Sequence, residues 1–221
     1  MLLYKFRSID GNSFRNSQDI FVNKRLFLPP AKTLNDPNEG IAIIDINNDF
    51  RLWGNQIEER NRRQDLRICS FSTDHRNSVI WSHYANQHKG ICIEFDSNEF
   101  EQMDSQICPV KYSNTVPVIS HNSDSTKVEA FLNKTLDWGY EKEWRYIADT
   151  RNPHFSFSNK AIKRVLLGAR FAESDIEWVN FWIKSFQPAQ PIPVVKMTFA
   201  IMEYTLYEES ELNQKSTRLL I

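Results

Sequence analysis

The alternation of apolar and polar residues predicts β-strands along most of the chain. Short stretches rich in β-branched and aromatic residues, bounded by turn-forming residues, are typical of strands. The predicted strands are Leu2–Phe6, Arg25–Leu28, Ile41–Ile46, Leu66–Ser72, Ile91–Phe95, Pro109–Tyr112, Glu143–Asp149, His154–Ser158, Lys163–Leu167 and Val194–Phe199. The turn at Asn152-Pro153 predicts that the two strands flanking it form a hairpin.

Apolar residues recur at helical spacing in other stretches, which favours amphipathic helices there. The predicted helices are Asn12–Lys24, Asn48–Gln64, Val79–Ala85, Lys127–Asp137 and Glu173–Phe186. Asn77 or Ser78 is expected to cap the third of these, and Gly90 is expected to end it.

Two stretches have the composition of loops. Residues 33–38 contain Asn and Asp side chains that can cap local backbone, and Pro37 excludes helix at Asp36, so an ordered loop is expected. The stretch from Ser113 to Thr126 is rich in Ser and Asn and is predicted to be a polar loop.

The order of these elements indicates an α+β fold. Strands outnumber helices, and most connections are too short for the helical crossovers that parallel strands need. We therefore expect a mixed, largely antiparallel sheet flanked by helices. The 221 residues, 41% of them hydrophobic, fit a single domain that spans residues 1–221.

Composition and charge restrict the kinds of macromolecule that the protein is expected to bind. Twenty-seven Lys and Arg residues against 28 Asp and Glu residues give a formal net charge of −1. This charge provides no broad basic surface for nucleic acid. No secretory signal or membrane-length apolar run is apparent, so no membrane partner is expected. The odd set Cys69, Cys92 and Cys108 favours reduced thiols and a cytoplasmic location.

Several common site motifs do not occur in the sequence. The chain has no phosphate-binding Walker loop, no dinucleotide-binding glycine motif, no zinc-protease helix motif and no hydrolase nucleophile elbow. His83 and His88 are five residues apart, so on a helix they diverge by about 140°. They can converge only if the helix ends between them, so a continuous helix predicts no metal site at these two residues.

The segment from Trp81 to Asp96 is dense in Trp, His and Tyr. At helical spacing Trp81, Tyr84 and Ala85 share one face. One interpretation is that this face is part of the core, because aromatic stripes usually serve packing. The other interpretation places His83 or Tyr84 at the edge of a pocket.

The segment from Tyr140 to Tyr146 carries alternating charges. Strand geometry places Glu141, Glu143 and Arg145 on one face. One interpretation is a solvated face in which Arg145 pairs with its neighbours. The other is a cleft with two carboxylates beside an Arg, where repulsion between the carboxylates is expected to raise the pKa of one of them.

Five segments together resemble a known family. They are Tyr4-Lys5-Phe6-Arg7-Ser8, Leu34-Asn35-Asp36-Pro37, Cys69-Ser70-Phe71-Ser72, Trp81-Ser82-His83-Tyr84-Ala85 with His88-Lys89-Gly90 and Glu94-Phe95-Asp96, and Tyr140-Glu141-Lys142-Glu143-Trp144-Arg145. In this order they are similar to the bacterial family of domains of unknown function numbered 2971. The resemblance spans nearly the whole chain and implies no established activity.

A second resemblance suggests a chemistry. An Arg on the first strand, a Ser on a central strand and a late Glu-x-Glu are similar to the Arg-Ser-Glu pattern of ADP-ribosyltransferases, whose split sheet binds NAD. The segment Ser70-Phe71-Ser72-Thr73 is not the usual Ser-Thr-Ser arrangement. This resemblance implies NAD as substrate and a macromolecular acceptor.

The same resemblance assigns roles to individual residues. It implies that Arg7 binds the phosphates, that Ser70 or Ser72 braces the site, and that Glu143 is the catalytic carboxylate. Glu141 is expected to contact the acceptor. Trp81 or Tyr84 can stack on a ring of the nucleotide, His83 is a further catalytic candidate, and Arg145 suits contact with a phosphate.

Two other functions remain open from the sequence. The first is metal-dependent hydrolysis of nucleic acid or another phosphoester, with the carboxylates of Asp36, Glu94, Asp96 and Glu143 holding Mg²⁺. The second is a module without catalysis that binds a ligand or a partner. A role as a bacterial stress or phage-defence effector is compatible with the enzymatic and the binding interpretations.

Overall fold

The computed structural model describes residues 1–46, 49–53, 66–101, 107–120, 125–200 and 203–212. The described α-helices are α1 Gly11–Val22, α2 Ser78–Tyr84, α3 Ser125–Ala130 and α4 Ile176–Phe186. The described strands are β1 Leu2–Arg7, β2 Arg25–Phe27, β3 Ala42–Ile46, β4 Asp49–Trp53, β5 Leu66–Ser72, β6 Ile91–Asp96, β7 Ile107–Pro109, β8 Lys111–Tyr112, β9 Val118–Ser120, β10 Asn133–Lys134, β11 Glu143–Asp149, β12 His154–Ser156, β13 Ile162–Leu167, β14 Val194–Phe199 and β15 Leu206–Glu208.

The chain divides into two compact units. The first unit contains Met1–Leu26, Phe71–Gln102 and Ser156–Ile221, and the second contains Phe27–Ser70 and Met103–Phe155. Strand β5 contributes its first five residues to the second unit and its last two to the first. The single domain expected from the sequence stays a prediction.

A mixed sheet forms the centre of the first unit, with strand order β15-β14-β13-β6-β1-β5. β6 pairs antiparallel with both β1 and β13, whereas β13 and β14 are parallel. Because side chains alternate across a strand, Ile93 and Phe95 share one face of β6, while Cys92 and Glu94 share the other. All four are buried, so both faces of this strand are covered.

Helices α1 and α4 pack together in the first unit. Trp182 and Phe186 of α4 are buried, and Phe21 of α1 lies parallel to the Trp182 ring at 5.9 Å between centroids. Phe14 of α1 contacts the Trp182 ring edge-on at 5.0 Å. The hydrophobic spacing that predicted both helices therefore reflects their shared core.

The second unit contains the order β5-β11-β7 and two smaller sheets, β4-β3-β9 and β10-β8. β11 is antiparallel to β7, and β9 is parallel to β3. The core of this unit includes Ile68, Phe131 and Ile147. Gly40 has φ of 72°, and a Cβ at this position would lie 2.5 Å from the Phe131 ring. Glycine is therefore required there.

The predicted α+β class with a mixed, largely antiparallel sheet is confirmed. Asn77 caps α2, since its side chain accepts hydrogen bonds from the amides of Val79 and Ile80. The predicted end at Gly90 is wrong, because α2 ends at Tyr84. Residues 86–88 that follow have positive φ angles, which a helix cannot accommodate.

Four local predictions are wrong in part. The helix predicted over residues 48–64 is a strand at Asp49–Trp53, and its remaining residues lie outside the described ones. The helix predicted from residue 127 to 137 ends at Ala130. The polar loop contains β9, and β11 and β12 do not share a sheet among the described strands, so the expected hairpin is absent there.

Candidate functional site

A cluster of five charged side chains lies inside the second unit; we call it the charge cluster. Its members are Glu39, Lys134, Glu141, Glu143 and Arg145. Their side chains are at most 7% exposed. The interpretation of a solvated charged face is therefore wrong for this segment, and the alternative, a cleft lined by two carboxylates beside an Arg, stays a prediction.

Local backbone structure brings the members together. Glu141 ends the 3₁₀ segment Leu136–Glu141, and Lys142 follows in the left-handed conformation with φ of 44°. β11 then begins at Glu143, so Glu143 and Arg145 lie on one face of the strand. Lys134 is supplied by the short strand β10. The sequence predicted Glu141 to lie in the strand, and the turn at Lys142 corrects this.

Arg145 is the most fully bonded cation of the charge cluster. Its Nε donates to Glu143 Oε1 at 2.7 Å, and its Nη2 donates to Glu143 Oε2 at 2.9 Å. Its two terminal nitrogens donate to the two carboxylate oxygens of Glu39 at 2.5 and 2.7 Å. Nη1 also donates to the carbonyl of Phe131 at 2.7 Å. The guanidinium geometry suits these paired contacts.

Lys134 is the second cation and contacts all three carboxylates. Its Nζ lies 2.7 Å from Glu141 Oε2, 3.3 Å from Glu143 Oε2 and 3.6 Å from Glu39 Oε1. It also lies 4.3 Å from the centroid of the Trp138 ring, where the face of the aromatic ring attracts a cation. Of the three carboxylates, that of Glu141 lies closest to Lys134.

Two hydroxyl groups adjoin Glu143. The Ser70 side chain on β5 is hydrogen-bonded to the Glu143 carboxylate, and β5 and β11 are neighbours in the sheet. The Tyr112 hydroxyl accepts a hydrogen bond from the Glu143 amide at 2.7 Å. Burial raises the pKa of Tyr112 to about 12, and the nearby Glu143 carboxylate adds to this effect.

The electrostatics of the charge cluster keep Glu143 ionised. Burial raises the pKa of Glu143, but the charge and hydrogen bonds of Arg145 outweigh burial, with further contributions from Lys134 and Ser70. The pKa falls to about 2. Glu143 is therefore not a carboxylate of raised pKa, because the cations Arg145 and Lys134 contact it directly.

The charges of the two cations are likewise fixed. Burial lowers the pKa of Arg145, but Glu143 and Glu39 outweigh burial, so this pKa is raised. Burial also lowers the pKa of Lys134, but the carboxylates of Glu143, Glu141 and Glu39 outweigh burial, so this pKa is raised as well. Three carboxylates against two cations leave the charge cluster with one negative charge in excess when all are ionised.

The other predicted site residues lie in the first unit. Arg7 is half-buried, and its Nε donates to the Ser17 hydroxyl at 3.4 Å. Trp81 is fully buried, and its indole N–H donates to the carbonyl of His75 at 2.7 Å. Ser72 is buried and accepts a hydrogen bond from the amide of Asp74 at 2.9 Å. These contacts fix the three side chains within the first unit.

Helix α2 carries two further predicted residues of different exposure. His83 is exposed, and Tyr84 is half-buried. Their rings meet edge-on at 6.0 Å. Of the predicted aromatic face, Trp81 and Ala85 are fully buried. The core interpretation therefore describes those two residues, while His83 is open to contact from outside.

A polar group in the first unit was missed by sequence reasoning; we call it the strand network. It contains Tyr4, His75, Glu94, Arg164 and Glu208. Arg164 lies 2.5 Å from Glu94 and 2.8 Å from Glu208. His75 Nε2 lies 3.5 Å from Glu208. Tyr4 and Arg164 are the register partners of Glu94 on either side, a signal that requires knowledge of strand pairing.

Two of the acidic residues proposed as metal ligands, Glu94 and Asp96, are paired in other ways. Glu94 belongs to the strand network, and Asp96 Oδ1 accepts a hydrogen bond from the amide of Asn98 at 3.1 Å. Among the described residues, no group of three or more His, Cys, Asp or Glu side chains is arranged to hold a metal ion. Within the same residues, no helix has the length and apolar character needed to cross a membrane.

Comparison with known proteins identifies one family. No curated protein and no solved structure is similar enough to the chain to give a match. Residues 80–146 match the family described as "Protein of unknown function (DUF2971)". The match includes the part of α2 from Ile80 onward, β6 and four of the five members of the charge cluster. The match supports the family prediction over residues 80–146.

Proposed function

We propose that the protein is an ADP-ribosyltransferase-like enzyme that acts on NAD, with Glu143 as its catalytic carboxylate. One observation carries the proposal: the Ser70 hydroxyl on β5 is hydrogen-bonded to Glu143 on the neighbouring strand β11. In the proposed Arg-Ser-Glu pattern, Ser70 is one of the two candidate serines and Glu143 is the glutamate.

The ionisation of Glu143 suits this chemistry. Cleavage of the bond between nicotinamide and ribose develops positive charge on the sugar, as in glycoside cleavage. A carboxylate that is fixed and ionised before the reaction stabilises this charge without reorganising. With a pKa of about 2, Glu143 acts by electrostatics and by holding a ribose hydroxyl, and it does not donate a proton at neutral pH.

Access to Glu143 requires one contact to change. Its two carboxylate oxygens accept hydrogen bonds from Arg145 and Lys134. The Lys134 contact, at 3.3 Å, is the longest, and Lys134 keeps its 2.7 Å bond to Glu141 when it leaves Glu143. We infer that a ribose hydroxyl takes the place of Lys134 on Glu143 Oε2.

The remaining roles belong to the same proposal. Arg7 binds the phosphates of NAD, Ser72 supports the site, and Trp81 or Tyr84 stacks on a ring of the nucleotide. His83, which is exposed, stays a further catalytic candidate. Arg145 is engaged by Glu39 and Glu143, which favours a positioning role for it over direct contact with a phosphate.

A matched pair of variants tests the catalytic assignment. Glu143→Gln and Glu141→Gln each remove one carboxylate and one Lys134 contact from the charge cluster. Release of nicotinamide from NAD is measured for both and for the wild type, at a temperature where urea unfolding shows all three to be folded. We expect Glu143→Gln to lose release by 100-fold or more, and Glu141→Gln to retain release but lose transfer to an acceptor.

The results of these measurements distinguish an enzyme from a protein that binds its ligand without catalysis. Equal release by Glu143→Gln and the wild type would remove Glu143 from the mechanism. Stabilisation by NAD against thermal unfolding, without nicotinamide release, would support the second candidate, a binding module without catalysis. That candidate is favoured by the hydrogen bonds that the protein itself already makes to both oxygens of Glu143.

The cellular part of the proposal is a bacterial, cytoplasmic effector of stress or phage defence. Cys69, Cys92 and Cys108 are free thiols, which accords with a reducing compartment. Growth arrest on expression of the wild type, relieved by Glu143→Gln at equal protein level, is the expected result. Arrest that persists in this variant would separate toxicity from the proposed reaction.

A further inference from the structure

Residues 203–212, which contain β15, form a short segment of the first unit; we call it the β15 segment. β15 is the last strand in the order β15-β14-β13-β6-β1-β5, and it pairs with β14 at only three positions. Among the residues of this segment, only Leu206 is buried. A three-residue strand with one buried side chain gains little from packing, so its charged contacts contribute much of what holds it in place.

Two glutamates of the β15 segment are held by basic side chains from outside it. Glu208 Oε1 accepts a hydrogen bond from Arg164 Nη1 at 2.8 Å and lies 3.5 Å from His75 Nε2. Glu211 Oε1 accepts a hydrogen bond from Arg76 Nη2 at 2.7 Å. Glu211 Oε2 also accepts one from the Glu208 amide at 3.3 Å, which links the two glutamates.

The three basic side chains lie near one another and are reached by solvent. Burial lowers the pKa of His75, and the charges of Arg76 and Arg164 lower it further, which requires both guanidinium groups to lie near the imidazole ring. The side chains of Arg76 and Arg164 are 39% and 26% exposed. A dissolved anion can therefore approach them, in contrast to the cations of the charge cluster.

The hydrogen bonds of Arg164 divide between two partners. Its Nε and Nη2 donate to Glu94 at 3.0 and 2.5 Å, and its Nη1 donates to Glu208. If the β15 segment leaves, Arg164 keeps Glu94 and presents Nη1, while Arg76 presents Nη2. These two guanidinium groups then exceed Glu94 by one positive charge. Guanidinium groups from separate elements are well suited to a phosphate group, which accepts several hydrogen bonds at once.

We propose that His75, Arg76 and Arg164 form a phosphate-binding site that the protein itself occupies with Glu208 and Glu211. The carboxylates of the β15 segment and a phosphate group compete for the same donors. Binding of phosphate therefore releases β15 from β14, and occupation by the segment weakens the apparent affinity for phosphate by the fraction of molecules in which the site is open.

The variant Glu211→Gln tests this competition. It removes the charge that holds Arg76, so calorimetry should give a Kd for inorganic phosphate about tenfold tighter than that of the wild type. Glu209→Gln is the matched control, because it removes the same charge from an exposed side chain of the segment and should leave the Kd unchanged. Adding Arg76→Gln to Glu211→Gln should abolish the gain. Sodium chloride keeps the ionic strength equal in all titrations.

Hydrogen exchange in the wild type measures release of the segment. Phosphate should speed exchange of the amides in Leu206–Glu208, relative to sodium chloride at equal ionic strength, and leave exchange in β6 unchanged. Methyl phosphate distinguishes the two sources of the group, since its Kd is tighter than that of inorganic phosphate if the site prefers a phosphate ester.

Three results would overturn the proposal. They are equal Kd values for Glu211→Gln and Glu209→Gln, a Glu211→Gln variant that does not bind phosphate, and binding of the dicarboxylate glutarate in preference to phosphate. None of these measurements uses NAD, so their outcome is independent of the role of Glu143.

Discussion

The charge cluster and the strand network are both groups of charged residues, but they differ in exposure and in construction. In the charge cluster the five side chains are 0–7% exposed and come from a turn, a two-residue strand, a 3₁₀ segment and β11. In the strand network Arg164 is 26% exposed and Glu208 13%. Its central residues are register partners on adjacent strands.

This difference in exposure determines how much stability the protein loses when one member of either group is removed. Water can replace a lost partner at the partly exposed Arg164, whereas it cannot reach Arg145 without disrupting the core. Loss of one member should therefore be more damaging in the charge cluster than in the strand network. The smallest loss of stability is expected for a salt bridge between two exposed residues.

The largest effect is expected for Arg145→Ala. It leaves Glu39 and Glu143 buried without their main cation, so the free energy of unfolding should fall by about 3–5 kcal/mol. Arg25→Ala is the control, because Arg25 pairs with Asp19 at 2.7 Å while its side chain is 39% exposed. That control should lose about 0–1 kcal/mol. Urea unfolding measures both, and equal losses would contradict the comparison.

A smaller effect is expected for Arg164→Ala. Glu94 loses its cation, but Glu208 is more exposed and can be solvated in its place. The free energy of unfolding should fall by about 1–3 kcal/mol, less than for Arg145→Ala. A loss as large as that of Arg145→Ala would show that exposure does not determine the difference.

The two groups should also respond to different ranges of pH. Burial, with Arg76 and Arg164, lowers the pKa of His75 below 6.5, against the opposing effect of Glu208 and Glu94. The unfolded chain then binds more protons, so stability falls as the pH drops below about 6.5. The depressed pKa of Glu143 contributes stability above pH 4.5 that is lost as pH falls toward 2.

Urea unfolding between pH 7.5 and 3 measures these two steps. The Glu143 step is expected to be on the order of 3 kcal/mol when complete. His75→Gln should reduce the upper step, to which His88 also contributes because burial lowers its pKa, and should leave the lower step in place. An unchanged upper step in this variant would assign that step to another group.

The smallest effect is expected for Ser70→Ala. It removes one neutral donor from Glu143 while both cations remain, so the free energy of unfolding should fall by about 1 kcal/mol. The pKa of Glu143 should rise slightly, because Ser70 contributes to lowering it. A loss comparable to that of Arg145→Ala would make Ser70 part of the essential framework.

The sequence predicted regular elements well where local periodicity and burial agree. β5 and β11 lie at the predicted residues, and Asn77 caps α2 as expected. Prediction failed at residues 49–53, where amphipathic spacing resembled a helix but the chain pairs with β3. Pairing between distant segments overrides local preference in such cases.

Only those members of the charge cluster that are close together in the sequence could be predicted. Glu141, Glu143 and Arg145 were singled out because they are close in the chain. Glu39 and Lys134 join them through a turn and a short strand whose positions depend on tertiary packing, so no sequence spacing indicated them. For the same reason the sequence indicated repulsion between carboxylates, whereas the two cations lower the pKa of Glu143.

The ionised state of Glu143 is the claim on which the charge cluster and the proposed chemistry both depend. Its most direct test is a ¹³C NMR titration of the side-chain carboxyl groups, with Glu143 assigned through the Glu143→Gln variant. We predict that the Glu143 carbon shows no titration between pH 7 and pH 4, since its pKa is about 2. A midpoint at or above pH 4.5 would contradict the account.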